Sequence, residues 1–275
     1  MPARYPERIV CLTEETTETL YRIGEERRIV GISGYTVRPA RARREKPRVS
    51  AFLSAKLDRI LALEPDLVIG FSDLQADIAR DLAKAGLNVL LFNQRSVQEI
   101  LDMILQLSAL VGAAGRGADL VSELERGLDD IRAAARRFPK RPRVYFEEWD
   151  EPMISGIRWV SELVQIAGGE DIFPELATSQ AASGRIIADA ALVVRRNPDV
   201  ILGSWCGKKF RPDRVAARPG WDAIGAVRAG ELHEIKSADI LQPGPAALTD
   251  GVRRIHEILR RSSERACEIP ARAAG

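Results

Sequence analysis

The sequence predicts an α/β protein: two similar parallel-sheet α/β lobes joined by one long helix, with a ligand cleft between them. Short β-branched runs alternate with longer helical patterns, which marks βα units and a parallel sheet. The second half of the chain repeats the first, and a single long polar helix separates the halves. The chain has 275 residues, 45% hydrophobic and 29% charged, enough for two modest lobes with ordinary cores.

In chain order, residues 8–12 read as a first strand, 16–23 as a helix stopped at Gly24, and 28–32 as a second strand. Residues 57–63 are helical. Pro65-Asp66 ends that helix and launches a strand over 67–71, whose unbroken apolar character suits a sheet covered on both faces. A helix over 74–85 stops at Gly86, and a strand follows at 88–92. Ser96-Val97-Gln98-Glu99 has the form of a capping box and opens a helix to about Val111. From 116 to 138 runs one mostly polar amphipathic segment, about 35 Å long as a helix. The alternation then resumes, with a strand at 143–147, helices over 158–167 and 188–196, strands at 200–203 and 232–236, and a last helix over 246–261.

The repeat is carried by Leu61-Ala62-Leu63-Glu64-Pro65-Asp66-Leu67-Val68-Ile69-Gly70 and Val194-Arg195-Arg196-Asn197-Pro198-Asp199-Val200-Ile201-Leu202-Gly203. Each stands about 55 residues downstream of an opening strand, Arg8-Ile9-Val10 in one half and Arg143-Val144-Tyr145 in the other. The organisation expected is a first lobe over 1–112, a bridging helix over 113–139, a second lobe over 140–265 and a tail over 266–275.

Charge and composition exclude several functions. The 41 basic and 39 acidic residues are interspersed and sum to +2, which leaves no field to recruit nucleic acid. Three widely spaced cysteines, Cys11, Cys206 and Cys267, suit neither a disulfide framework nor a zinc knuckle. No apolar run reaches the roughly 18 residues of a membrane span. The opening residues have neither the apolar core of a secretory signal nor a lipidation cysteine. As written the chain is expected in the cytoplasm, and in the periplasm if an export signal precedes it.

In open parallel sheets, ligands bind beyond the carboxyl ends of the strands. That rule selects Thr13-Glu14, Ser33-Gly34-Tyr35 and Phe71-Ser72-Asp73 in the first lobe. In the second it selects Glu148-Trp149-Asp150-Glu151, Ser204-Trp205-Cys206 and the loop 240–245. The rings of Tyr35, Phe71, Trp149 and Trp205 suit a large, partly apolar ligand, and Glu148, Glu151 and Gln242 would supply polar selection.

Other clusters read ambiguously. Glu147, Glu148, Asp150 and Glu151 could repel one another into acid and base roles, accept hydrogen bonds from ligand amides, or form a solvated loop. The run Arg38, Arg41, Arg43, Arg44, Lys46, Arg48 reads as a loop near the cleft mouth, either solvated or attractive to an anion. His233 and His256 are too far apart to build a metal site, so no metal is expected, although His233 alone could serve as an axial ligand. No catalytic template is present: there is no Gly-x-Ser-x-Gly, no phosphate-binding loop, no dinucleotide fingerprint, and no histidine near Cys206. The chain is not read as an enzyme.

Several stretches resemble the substrate-binding proteins of ABC importers for cobalamin and ferric siderophores, most closely the cobalamin branch. They are 8–12 with 16–20, 30–33, 57–69, Ile154-Ser155-Gly156 and 163–173, including Gly168-Gly169-Glu170-Asp171-Ile172-Phe173. The resemblance extends over residues 7–262 and implies two α/β lobes bridged by one helix, with the ligand between them. In that family an aromatic after the Pro-Asp strand lines the corrin site, a role that falls on Phe71. An acidic residue on the next helix docks against the permease, a role that falls on Asp77. Where the second lobe's docking carboxylate would stand, this chain has Lys208-Lys209, with Asp213 nearest.

The resemblance thus implies a monomeric solute-binding protein that holds a corrinoid for ABC-type uptake, with no cofactor of its own and an ABC permease as partner. A ferric siderophore or haem is the alternative ligand. A cytoplasmic enzyme or corrinoid-handling factor on the same scaffold is the alternative of another class.

Overall fold

The computed structural model describes residues 5–51 and 54–268. The chain forms two compact units. The first takes in the chain up to Gln94, with Gln98–Glu125 and Gln242–Ala246; the second takes in Arg95–Val97, Arg126–Leu241 and the chain from Ala247 on.

The first unit is built from β1 (Ile9–Cys11), α1 (Glu14–Arg22), β2 (Ile29–Ser33), α2 (Ala42–Glu45), β3 (Arg48–Ser50), α3 (Leu57–Leu61), β4 (Leu67–Phe71), α4 (Ala76–Lys84), β5 (Val89–Phe92) and most of α5 (Val97–Leu110). Its five strands are all parallel, in the order β3-β2-β1-β4-β5. The order reverses between β1 and β4, which opens a crevice at their carboxyl ends. Below it Val10, Leu12 and Val68 pack with Val49 of β3, Ile60 of α3 and Leu82 of α4.

The long helix is α6 (Ala114–Ala135), and the division between the units falls inside it, after Glu125. The second unit follows with β6 (Arg143–Asp150), β7 (Met153–Ser155), α7 (Arg158–Ile166), β8 (Glu170–Asp171), α8 (Ala191–Arg196), β9 (Val200–Gly203), α9 (Pro212–Ala216), α10 (Gly225–Arg228), β10 (Leu232–Glu234), α11 (Ser237–Ile240) and α12 (Val252–Glu268). Its strand order is β10-β9-β6-β7, with β8 also on β6. Three of the pairings are parallel, but β7 returns antiparallel to β6, so this sheet is mixed rather than wholly parallel. The expected loop after residue 147 is strand: β6 continues through Glu148-Trp149-Asp150 before turning back. Tyr145, Phe173, Ile201, Trp205, Phe210 and Trp221 form the unit's core.

The sequence repeat has a physical basis. Asp66 accepts a hydrogen bond from the Arg8 N–H at 3.0 Å, and Asp199 accepts one from the Arg143 N–H at 2.8 Å. The backbone N–H of each aspartate donates in return to the same arginine's carbonyl, at 3.0 and 2.8 Å. The residues before the two prolines, Glu64 and Asn197, both turn in the left-handed region, with φ of 44° and 42°. The Pro-Asp turn therefore ties the entry of one strand to its neighbour in both halves.

Three stretches depart from expectation. The arginine-rich segment contains α2 and the edge strand β3. Residues 242–246 group with the first unit rather than the second, because the Ala246 N–H donates to Glu18 (3.1 Å) and the Gln94 side chain donates to the Pro243 carbonyl (2.9 Å). Helix α12 continues to Glu268, and residues 269–275 of the expected tail lie outside the described residues.

Candidate functional site

At the crevice of the first unit, β1 runs through Thr13 into α1, which begins with two glutamates and carries a third one turn on. Glu14, Glu15 and Glu18 are all buried, Glu15 at 1% exposure. Each has some support. The Thr13 hydroxyl donates to Glu15 at 2.5 Å, the Val37 N–H serves Glu14, and Arg38 donates to Glu18 at 3.3 Å. One oxygen of Glu14 and one of Glu15 nonetheless remain without a partner. Burial, reinforced by the neighbouring carboxylates, pushes Glu14 up to about 8, and burial pushes Glu15 up to about 7. Glu18 is raised for the same first reason, against the pull of Arg38. The helix N-terminus favours acidic side chains here, but desolvation outweighs it.

The other expected contacts of this unit lie on neighbouring strand ends. Tyr35 follows β2 with 58% of its surface exposed, whereas Phe71, the last residue of β4, is 8% exposed. The Phe71 N–H donates to the Gln75 side chain at 2.9 Å, which folds the turn beyond β4 back on itself. Gln242, half-buried, belongs to the 242–246 segment that closes over α1. Asp77 lies in the first turn of α4, 85% exposed as a side chain and paired with Arg80 at 2.6 Å.

In the second unit three of the four crowded acids are matched by cations. Glu147 accepts two hydrogen bonds from Arg218, at 2.5 and 3.0 Å, and others from Tyr145 and Trp205. Glu148 takes Arg185 at 2.6 and 3.0 Å, and Asp150 takes Lys208. Glu151 is exposed, and its carbonyl accepts from the Trp149 indole at 2.9 Å. The mutual repulsion that would set an acid against a base is thus cancelled, which corrects the acid–base option. Arg185 and Arg218 lie 37 and 71 positions from the acids they neutralise, and no local motif announces them.

Trp205 is also corrected. Expected as an open ring, it is 3% exposed and packs edge-on against Phe210 at 5.1 Å. Gly203 makes this possible, since a Cβ there would come within 1.9 Å of the Phe210 ring. Trp149 is half-buried against the same core, with the Lys208 ammonium 4.1 Å from its ring centroid. A cavity of about 290 Å³ lies beside the ends of β9 and β10, lined by the edge of Trp205, by Lys208, Lys209 and Lys236, and by Glu234.

Each histidine has one ring nitrogen engaged within the protein. His233 bonds to Glu231 at 2.8 Å, and His256 bonds to the Ala167 carbonyl at 3.0 Å and stacks on Phe138. Among the described residues no group of acids, cysteines and histidines could hold a metal ion, and no helix is long and apolar enough to cross a membrane.

The model of the periplasmic binding protein family matches residues 9–238. An uncharacterized ABC transporter substrate-binding lipoprotein of Bacillus subtilis is 24% identical over 261 residues, 92% of this chain and 79% of its own. The vitamin B12-binding protein of Yersinia pestis is 29% identical over 221 residues, 79% of this chain and 75% of its own. Among solved structures, a possible iron-binding periplasmic protein of Staphylococcus epidermidis superposes with a TM-score of 0.80 at 19% identity, covering 93% of this chain and 99% of its own. The apo form of a periplasmic haem-binding protein of Roseiflexus sp. RS-1 gives 0.77 at 22%, covering 92% and 99%. At these identities the solved structures share the fold.

Proposed function

The chain belongs to the periplasmic binding protein family, the solute-binding proteins of ABC importers, and from that premise we propose that its ligand is a corrinoid. The observation that carries the reading is the pair Glu14 and Glu15, buried at the β1/β4 crevice with an unpartnered oxygen each. Such oxygens accept hydrogen bonds from amide N–H groups, which line the edge of a corrin ring. Once ionised by such donors, they disfavour the carboxylates of haem and the oxygen anions of a ferric catecholate, which bring no N–H to the pair. Tyr35 offers an open ring to an apolar face of the ligand. Relatives named vitamin B12-binding proteins, at 29% identity, support the same reading. The exposure of Asp77 suits it to dock a permease, the role the family resemblance gives it.

Haem is the second reading, favoured by the exposed phenol of Tyr35, since a tyrosine oxygen can ligate haem iron. The test is equilibrium binding of cyanocobalamin and haem to the wild type, to Tyr35→Phe, and to Glu14→Gln with Glu15→Gln. The corrinoid reading expects the double variant to weaken cyanocobalamin about tenfold and to leave haem weak or better bound. Haem binding that outcompetes cyanocobalamin and collapses in Tyr35→Phe would replace it.

A further inference from the structure

The basic run divides in the folded chain, and part of it enters no feature described so far. Arg38 and Arg41 are engaged by Glu18 and Glu26 at 3.3 and 3.0 Å, and Arg41 also lies over the Tyr21 ring at 4.8 Å. Arg43, Lys46 and Arg48 instead line a cavity of about 790 Å³ together with Lys56 and Arg59. Its walls come from the end of α2, the edge strand β3 and the helix α3.

Among the described residues no carboxylate lines this cavity, and Arg43, Arg48, Lys56 and Arg59 enter no ion pair. The Ser50 hydroxyl oxygen at its edge is buried and has no hydrogen-bond partner. Burial holds the Lys46 ammonium below its ordinary range. A chain whose net charge is +2 has thus placed five cations around one concavity, with the acids Glu26 and Glu45 acting on Lys46 from outside its lining.

The ligand chemistry follows from charge, size and shape. The volume lies within the roughly 300–1,000 Å³ of small-molecule sites. Guanidinium forks and ammonium groups match phosphate oxygens, and a single carboxylate would neutralise one cation of the five. The charge is concave and local, whereas a polymer is drawn by a stripe or a broad field.

We propose that this cavity binds a small polyphosphate-bearing ligand, either a nucleoside diphosphate or triphosphate or a free polyphosphate, with Arg48, Arg59 and the Ser50 hydroxyl among the groups that hold its phosphates. The site is independent of the corrinoid reading, since it shares none of the residues assigned to that ligand.

The test is calorimetric titration of the full chain at low salt with ADP, inorganic pyrophosphate and adenosine. ADP and pyrophosphate are expected to bind at one site per chain, while adenosine gives no signal. ADP binding well above pyrophosphate assigns the site to nucleotides, and equal affinity assigns it to the free anion. Arg48→Glu with Arg59→Glu, both on exposed side chains, should lower the affinity about tenfold or more. Arg59→Gln alone, on α3 and outside the sheet, should lower it several-fold. Arg44→Glu makes half the charge change of that double variant, outside the cavity, and should matter less than about twofold. Absence of saturable binding by both ADP and pyrophosphate, or an equal loss in Arg44→Glu, overturns the proposal.

Discussion

Gly244 lies directly against Glu15: a Cβ on Gly244 would come within 2.4 Å of the Glu15 Cβ and 3.0 Å of its Cα. The neighbour is partly helix backbone, so it cannot swing aside as a long side chain would. Gly244→Ala is therefore expected to push the 242–246 segment off α1 and cost about 1–3 kcal/mol in urea unfolding. An unchanged midpoint would mean that the segment moves freely.

The glutamate pair makes stability depend on pH. Folded-state values of about 8 for Glu14 and about 7 for Glu15 lie above the ordinary 4.5, so the folded state holds protons that the unfolded state releases. Their contribution is complete below about pH 4.5 and is lost as pH rises through 7 and 8. The groups facing the pair are Thr13, the Val37 N–H, Glu18 and Arg38; the last favours ionisation of Glu14 but is outweighed. The urea midpoint should fall across this range, and Glu14→Gln with Glu15→Gln should flatten the decline. A ligand that donates N–H groups to the pair should restore their charge and release protons on binding. Calorimetry in buffers of different ionisation enthalpy measures that release.

Arg218 is the cation for the fully buried Glu147. Arg218→Met leaves that carboxylate without a charge partner and should cost about 3 kcal/mol or more in chemical unfolding. Adding Glu147→Gln should recover much of the loss, because the buried charge is then gone. If the double variant is no better than the single one, the arginine acts through packing alone.

These cases mark what could be read from the chain. The strands β4 and β9, the glycine stops and the Pro-Asp turns were legible because they follow from local pattern and backbone chemistry. The pairing of Glu147 with Arg218 was not, since it joins residues 71 positions apart. Charged strand residues also misled: Glu148-Trp149-Asp150 resembles a loop until Arg185 and Lys208 neutralise it. Trp205 looked open because nothing near it signals that Phe210 folds back over Gly203.

Glu64 offers a test of the repeat. It holds φ at 44° with an exposed side chain, where its counterpart in the second half is Asn197. A left-handed position costs a residue other than glycine or asparagine about 1 kcal/mol. Glu64→Gly should therefore raise stability by up to about that much in denaturant unfolding, and a loss would show that the side chain has a role.

The most direct measurement is calorimetric titration of the purified protein with cyanocobalamin, alongside cobinamide, haem and a ferric catecholate. Saturable binding of one corrinoid per chain, with haem and the catecholate weaker, is the predicted result. Silence with both corrinoids and clear binding of haem or the catecholate would contradict it.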